Sequence, residues 1–139
     1  MAAGCSGGLP DMAERNLARL IAGLSPRLDP EPWVFVSLKS LPADSRPLMT
    51  FREEEGMTMI VHPDEARRLG LPGGPAFRRI TLGVNSSLEA VGLTAAVAST
   101  LTAKGISANI VAAFHHDHVF VPAERAEDAL ACLMRMKGA

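Results

Sequence analysis

The residues best suited to chemistry in this chain form four groups. The densest is His115-His116-Asp117-His118. Two imidazoles and a carboxylate could hold Zn²⁺ or Ni²⁺ if a strand began early enough to align residues 116 and 118. The same residues suit a polar hairpin turn, where Asp favours the bend, or the edge of a ligand site. Glu53-Glu54-Glu55 would give an acid/base pair if two carboxylates converged. Followed by Gly56, they read instead as a solvated hairpin tip. Asn85-Ser86-Ser87, ahead of an apolar run, offer short hydrogen-bonding side chains of the kind used at a helix start. There the free backbone N–H groups attract an anion such as a carboxylate. His62, before Pro63, stands alone and reads as structure.

Nucleophilic and phosphate chemistry find little support. No G-x-S-x-G elbow surrounds Ser86 or Ser87, and no G-x-x-x-x-G-K-[ST] loop occurs. Cys5 and Cys132 lie at opposite ends without C-x-x-C spacing, so neither a metal site nor a disulfide framework is expected. No cofactor is expected either. Cys132 falls in a predicted helix and reads as core packing.

The elements that must position these groups follow from periodicity. Asp11 and Glu14 stand at capping-box spacing ahead of Leu17, Leu20, Ile21 and Leu24, which predicts a surface helix ended by Ser25-Pro26. Trp33 to Leu38 reads as a strand covered on both faces. Residues 48–52 and 57–61 read as a hairpin, and 63–69 as a short helix begun by proline. Gly70 to Pro75 is the strongest break. It divides a first half, 11–75, from a second, 76–139, after a disordered tail at 1–10.

In the second half, residues 77–84 alternate, with Ile80, Leu82 and Val84 on one face and Arg79 and Thr81 on the other. A helix is expected from 88 to 104, capped by Asn85-Ser86-Ser87 and closed by Gly105. Strands at 107–114 and 118–121 flank a turn at 115–117. A final helix, 123–136, carries Ala126, Ala129, Leu130, Leu133 and Met134 on one side. The order β-α-β-β-α gives an α+β two-layer sandwich with an antiparallel sheet and helices on one face. The 88–104 helix carries two apolar stripes: Leu88, Val91, Ala95, Ala98 and Thr102, and Leu93, Val97 and Leu101. The second stripe is covered either by the chain's own N-terminal half or by a second subunit.

The run Val84-Asn85-Ser86-Ser87-Leu88-Glu89-Ala90-Val91-Gly92-Leu93, with Leu101-Thr102-Ala103-Lys104-Gly105-Ile106-Ser107, resembles the ACT domain. Phe51-Arg52-Glu53-Glu54-Glu55-Gly56-Met57-Thr58 and Asp117-His118-Val119-Phe120-Val121-Pro122 resemble a bacterial tandem ACT-like family, itself related to amino-acid sensor ACT pairs of animal cells. The likeness spans roughly residues 15–137. It implies a ferredoxin-like fold in two ACT-like halves. It also implies a regulatory role without catalysis, in which a small molecule, usually an amino acid, binds between ACT units. The site it implies is the loop from Gly83 to Leu88 with Val91 and Gly92, and Asn109 and Ile110 on the adjoining strand. The chain departs from the family pattern twice. Its second half lacks a last strand, which must come from the first half, and its first half lacks a helix between its first two strands.

Composition narrows the partners. The 139 residues carry 14 Lys plus Arg against 15 Asp plus Glu, for a net charge of −1. Such a balance disfavours nucleic acid, which needs a surplus of cations, and a polybasic membrane anchor. Aromatic residues make up 4 %, with no Tyr, so base-stacking platforms are scarce and the core must be aliphatic. No stretch of 18 apolar residues occurs and the start lacks the pattern of a secretory signal, so a reduced, cytoplasmic protein is expected. Three readings remain: an amino-acid-binding regulatory protein that dimerises through the 88–104 helix or a sheet edge, an association module, and a metal-dependent enzyme built on His115–His118.

Overall fold

The computed structural model describes residues 16–84 and 90–138. The tail at 1–10, the Asp11/Glu14 capping box and Asn85–Leu88 lie outside these residues. Helix α1 spans Leu17–Ala22, with Asn16 as its N-cap accepting from the Arg19 N–H. It ends at Gly23, ahead of Ser25-Pro26. Strands β1 (Arg27–Leu38), β2 (Met49–Glu53) and β3 (Gly56–Val61) follow, then helix α2 (Pro63–Arg68) and strand β4 (Phe77–Thr81). Helix α3 (Leu93–Thr102), strands β5 (Asn109–Ala112) and β6 (Asp117–Pro122), a 3-10 turn and helix α4 (Ala126–Gly138) complete the chain. No described helix is long and apolar enough to cross a membrane.

All six strands form one antiparallel sheet in the order β2-β3-β1-β4-β6-β5. β1 starts earlier than its apolar run suggests. Its first part, Arg27 to Trp33, pairs with β4, and its second part, Val34 to Leu38, pairs with β3. One strand thus serves both halves and supplies the missing last strand of the second. Two prolines sit inside it because the register breaks there: pairing jumps from Leu28 with Ile80 to Pro32 with Arg78. Asp29, Pro30 and Glu31 stand opposite Arg79 alone, so the lost N–H groups cost no ladder bonds.

The helices cover one face of the sheet. Alternation sends Ile80, Val119 and Val121 to that face, where Leu20 and Leu24, Leu93, Val97 and Leu101, and Ala129 and Leu133 pack against them. A smaller cluster of Val34, Val36, Met59, Val61 and Ala66 lies under α2. α1 packs on α3 and α4 rather than beside α2.

Two expectations change. The helix over the second half begins at Leu93, not Leu88, and its N-cap is Gly92 rather than Asn85, Ser86 or Ser87. Only the Leu93, Val97, Leu101 stripe of that helix is buried; Ala95 and Thr102 are exposed, and Val91 is 82 % exposed. Val91, Ala95 and Thr102 of the other stripe are therefore left open. On α4, Met134 is exposed and Met136 takes the core-facing position, since residue 136 lies three beyond Leu133.

Opposite the helices the sheet curls. Leu48 and Met49 at the β2 edge line the same concavity as Val111 and Ala113 at the β5 end. Those edge strands lie five strands apart in the sheet, so only strong coiling brings them together. Phe35 packs edge-on against Phe77 and Phe120, with ring centroids 5.3 and 5.6 Å apart. Ile60 and Phe120 are consequently buried although no described helix covers them. Trp33, on this second face of β1, remains half-buried.

Candidate functional site

The loop between β4 and α3 is built on backbone constraints. Gly83, at φ +75°, lies so near the Ser25 carbonyl that an added Cβ would overlap it. The Ser25 N–H donates to the Leu82 carbonyl at 3.0 Å, which ties the end of α1 to the end of β4. α3 then opens at Gly92, at φ +104°, with no side-chain cap hydrogen bond. A Cβ at Gly92 would meet the Leu17 side chain of α1 at 3.0 Å. Both the left-handed backbone and the close helix demand glycine there. Val91 projects into solvent beside this helix start.

Asn85, Ser86, Ser87 and Leu88 lie outside the described residues. The structure does not bring Asn109 to this loop. Asn109 pairs with Phe120, which pairs with Arg79, whereas the end of β4 is level with Asp117, whose carbonyl accepts from the Leu82 N–H at 3.1 Å. Asn109 sits on an edge strand with its Nδ2 3.4 Å from the Phe120 carbonyl, and Ile110 faces the helix-side core. The histidine turn comes nearer: His116 Nδ1 lies 3.4 Å from the Val84 carbonyl.

The four turn residues part company. His115 stacks edge-on with Phe114 at 4.9 Å, His116 turns to Val84, and Asp117 is buried. His118 Nδ1 lies 2.9 Å from Thr81 Oγ1. Among the described residues, no three His, Cys, Asp or Glu side chains are grouped as metal ligands. Glu53 to Glu55 form a hairpin corner, where Glu53 accepts from the Thr58 hydroxyl. His62 caps α2: its Nδ1 accepts from the Asp64 N–H at 3.0 Å, which leaves Nε2–H to donate to Glu31 at 3.0 Å. Cys132 is free and buried in the helix-side core.

Residue periodicity does not single out the concavity of the curled face. Its volume is about 120 Å³, and its lining joins apolar Leu48, Met49, Val111, Ala113 and Phe120 to polar Arg79 and His118. Burial pushes the His118 imidazole below its ordinary value, and the charges of Arg79, His116 and Arg27 push the same way, so it is neutral at pH 7. Arg79 Nη2 donates to Asp29 Oδ2 at 3.0 Å. Burial opposes ionisation of Asp29, but bonds from the Glu31 N–H, Trp33 Nε1 and Arg79 outweigh it and hold its carboxyl below the usual value. Buried Arg79 Nε has no hydrogen-bond partner among the described residues. Alternation flagged Arg79 as facing away from the helices. The cavity arises from contact between strands remote in sequence, which no local pattern carries.

Comparison with known proteins agrees with this architecture. No curated protein matches the chain. A Vibrio cholerae protein of unknown function, described as a possible transport protein, shares 41 % identity with a TM-score of 0.79, over 87 % of this chain and 95 % of its own. A structure from Agrobacterium tumefaciens aligns with a TM-score of 0.70 at 16 % identity, over 82 % of this chain and 89 % of its own. The regulatory subunit of aspartate kinase from Thermus thermophilus aligns with a TM-score of 0.60 at 16 % identity, over 82 % and 97 %. Family profiles described as ACT domain match residues 12–78 and again 76–135. With its shared β1 and single curled sheet, the chain belongs to the ACT domain family as a tandem of two ACT units.

Proposed function

We propose that this protein is a regulatory module that binds an amino acid at the β4–α3 loop and performs no chemistry of its own. The observation that carries this reading is the start of α3. A ten-residue helix opens from a left-handed glycine, which carries no side chain to cap it, so its first-turn N–H groups and the positive end of its dipole face the loop. An amino-acid carboxylate complements that end, and exposed Val91 gives its side chain an apolar neighbour. Asn85, Ser86, Ser87 and Leu88 supply the remaining contacts of this site, with Val91 and Gly92. Asn109 and Ile110 would join it from the equivalent strand of a second copy. The ACT family match and the likeness to an aspartate kinase regulatory subunit favour regulation over catalysis. The free thiol of Cys132 suits a reducing, cytoplasmic setting.

Thermal denaturation against the twenty amino acids tests the reading. A ligand that binds only the folded state adds about 2.7 kcal/mol at a hundredfold excess over Kd. At least one amino acid should raise Tm at millimolar concentration, and Asn85→Ala with Ser87→Ala should remove the rise. No shift with any of the twenty overturns it. A second reading, an association module, draws on the open stripe of α3 with Val91, Ala95 and Thr102. It predicts a dimer indifferent to every amino acid and lost on Ala95→Glu, measured by sedimentation.

A further inference from the structure

We propose that the cavity inside the curled face binds a small aliphatic carboxylate that lacks an amino group, independently of the β4–α3 loop. Size comes first. At about 120 Å³ the space suits roughly five or six non-hydrogen atoms, since a cavity of about 150 Å³ accepts the six of benzene. Leu48, Met49, Val111, Ala113 and Phe120 make most of its wall apolar, which favours a short hydrocarbon chain and penalises a strongly hydrated anion such as phosphate.

The polar end selects the charge. Arg79 lines the cavity and commits Nη2 to Asp29, which holds its guanidinium at the wall as a fixed cation. A ligand carboxylate would face that cation in a charge-assisted interaction. His118, neutral and bonded to Thr81, adds a polar group without adding charge.

Asp29 then excludes amino acids. Its Oδ1 already accepts from the Glu31 N–H at 3.0 Å, and its Oδ2 from both Trp33 Nε1 at 3.1 Å and Arg79. Among the described residues no carboxylate lines the cavity itself. An α-ammonium placed there would face Arg79 with no free anionic partner, which opposes its burial.

The two rims come from the two halves, Met49 of β2 with Leu48 just before it, and Val111 and Ala113 from β5 and the turn after it. An occupant would therefore bridge both ACT units across the open face, and its binding would fix the curl of the sheet.

The test is a ¹H–¹⁵N NMR titration of the full chain with isobutyrate, isobutyramide and alanine, three molecules of one size. Isobutyrate should give saturable shifts at Arg79, Val111, His118 and Phe120 in the millimolar range. Isobutyramide and alanine should bind there at least tenfold more weakly. Arg79→Gln should weaken isobutyrate tenfold or more. Because that change leaves Asp29 short of a partner and can unfold the chain, Ala113→Leu serves as a second variant: it fills the rim, keeps the Arg79–Asp29 pair and should abolish the shifts. Absence of saturable shifts, equal binding of the amide or of alanine, undiminished binding by Ala113→Leu, or shifts confined to Val91–Ala95 would each overturn the proposal. Alanine shifts at Val91–Ala95 alone would bear on the β4–α3 loop and leave this cavity's test to isobutyrate.

Discussion

The helix-side cores of the two halves differ in how much apolar surface they bury. The C-terminal core brings Leu20, Leu24, Val97, Leu101 and Leu133, all fully buried, under three helices. The N-terminal core is a patch of Val34, Val36, Met59, Val61 and Ala66 under one helix of 6 residues. Such a short helix is marginal by itself. Polar contacts supplement its packing: Arg68 bonds both carboxylate oxygens of Glu65 at 2.8 Å and reaches Asp44, while the Arg46 N–H donates to Glu65. The difference teaches that two related units on one sheet can be held by different forces. One half rests on burial. The other adds polar stitching of loop to helix.

The largest expected effect is in the C-terminal core. Leu101→Ala removes a fully buried side chain from between α3 and the sheet and should cost about 4 kcal/mol in urea denaturation. Gly83→Ala should cost about 3 kcal/mol, because the new Cβ overlaps the Ser25 carbonyl at a positive φ. Met59→Ala should cost about 2 kcal/mol, the low end for a buried side chain, since the smaller cluster beneath α2 can collapse around it. Equal losses for Leu101→Ala and Met59→Ala would break the contrast between the cores.

Two pH profiles sharpen it. His118 is held below its ordinary value of 6.5, so the folded chain binds fewer protons than the unfolded chain as pH falls through that value. Stability should therefore drop from pH 7 towards 5, and His118→Gln should flatten that limb. Glu65 is held at about 2, down from 4.5, by the Arg68 side-chain bonds first and then the Arg46 N–H. Its contribution is fully present above 4.5 and is lost as pH falls towards 2. Glu65→Gln should lessen only that lower limb, an effect kept small by solvent screening at an exposed pair. If Glu65→Gln altered the limb near pH 6 instead, the assignment of the two limbs to the two halves would fail.

Much of the architecture was legible in residue patterns, because burial on one side imposes a period. The alternation of Ile80, Leu82 and Val84 against Arg79 and Thr81 predicts the faces of β4 as they are found. The borrowed last strand also follows from counting elements. What hid the first part of β1 was the lack of an apolar run before Trp33: Pro30 falls in the irregular stretch opposite Arg79, and Pro32 pairs with Arg78. The helix start went astray because Asn-Ser-Ser is a strong local cap signal. Gly92 won that place through its left-handed φ of +104°, at a point where an added Cβ would meet Leu17, 75 residues earlier in the chain.

By itself the sequence determined the family, the antiparallel sheet with helices on one face, and the aliphatic character of the core. Each of these depends on patterns that repeat over a few residues or on motifs in order. Only the tertiary structure decided which stripe of α3 is buried, that α1 joins the C-terminal core, and that the sheet curls until β2 and β5 share a cavity. Those outcomes depend on twist accumulated across six strands and on side chains that meet from distant parts of the chain. The buried Nε of Arg79 is the plainest case. Alternation put the residue on the open face, and only the coiled sheet took it out of water.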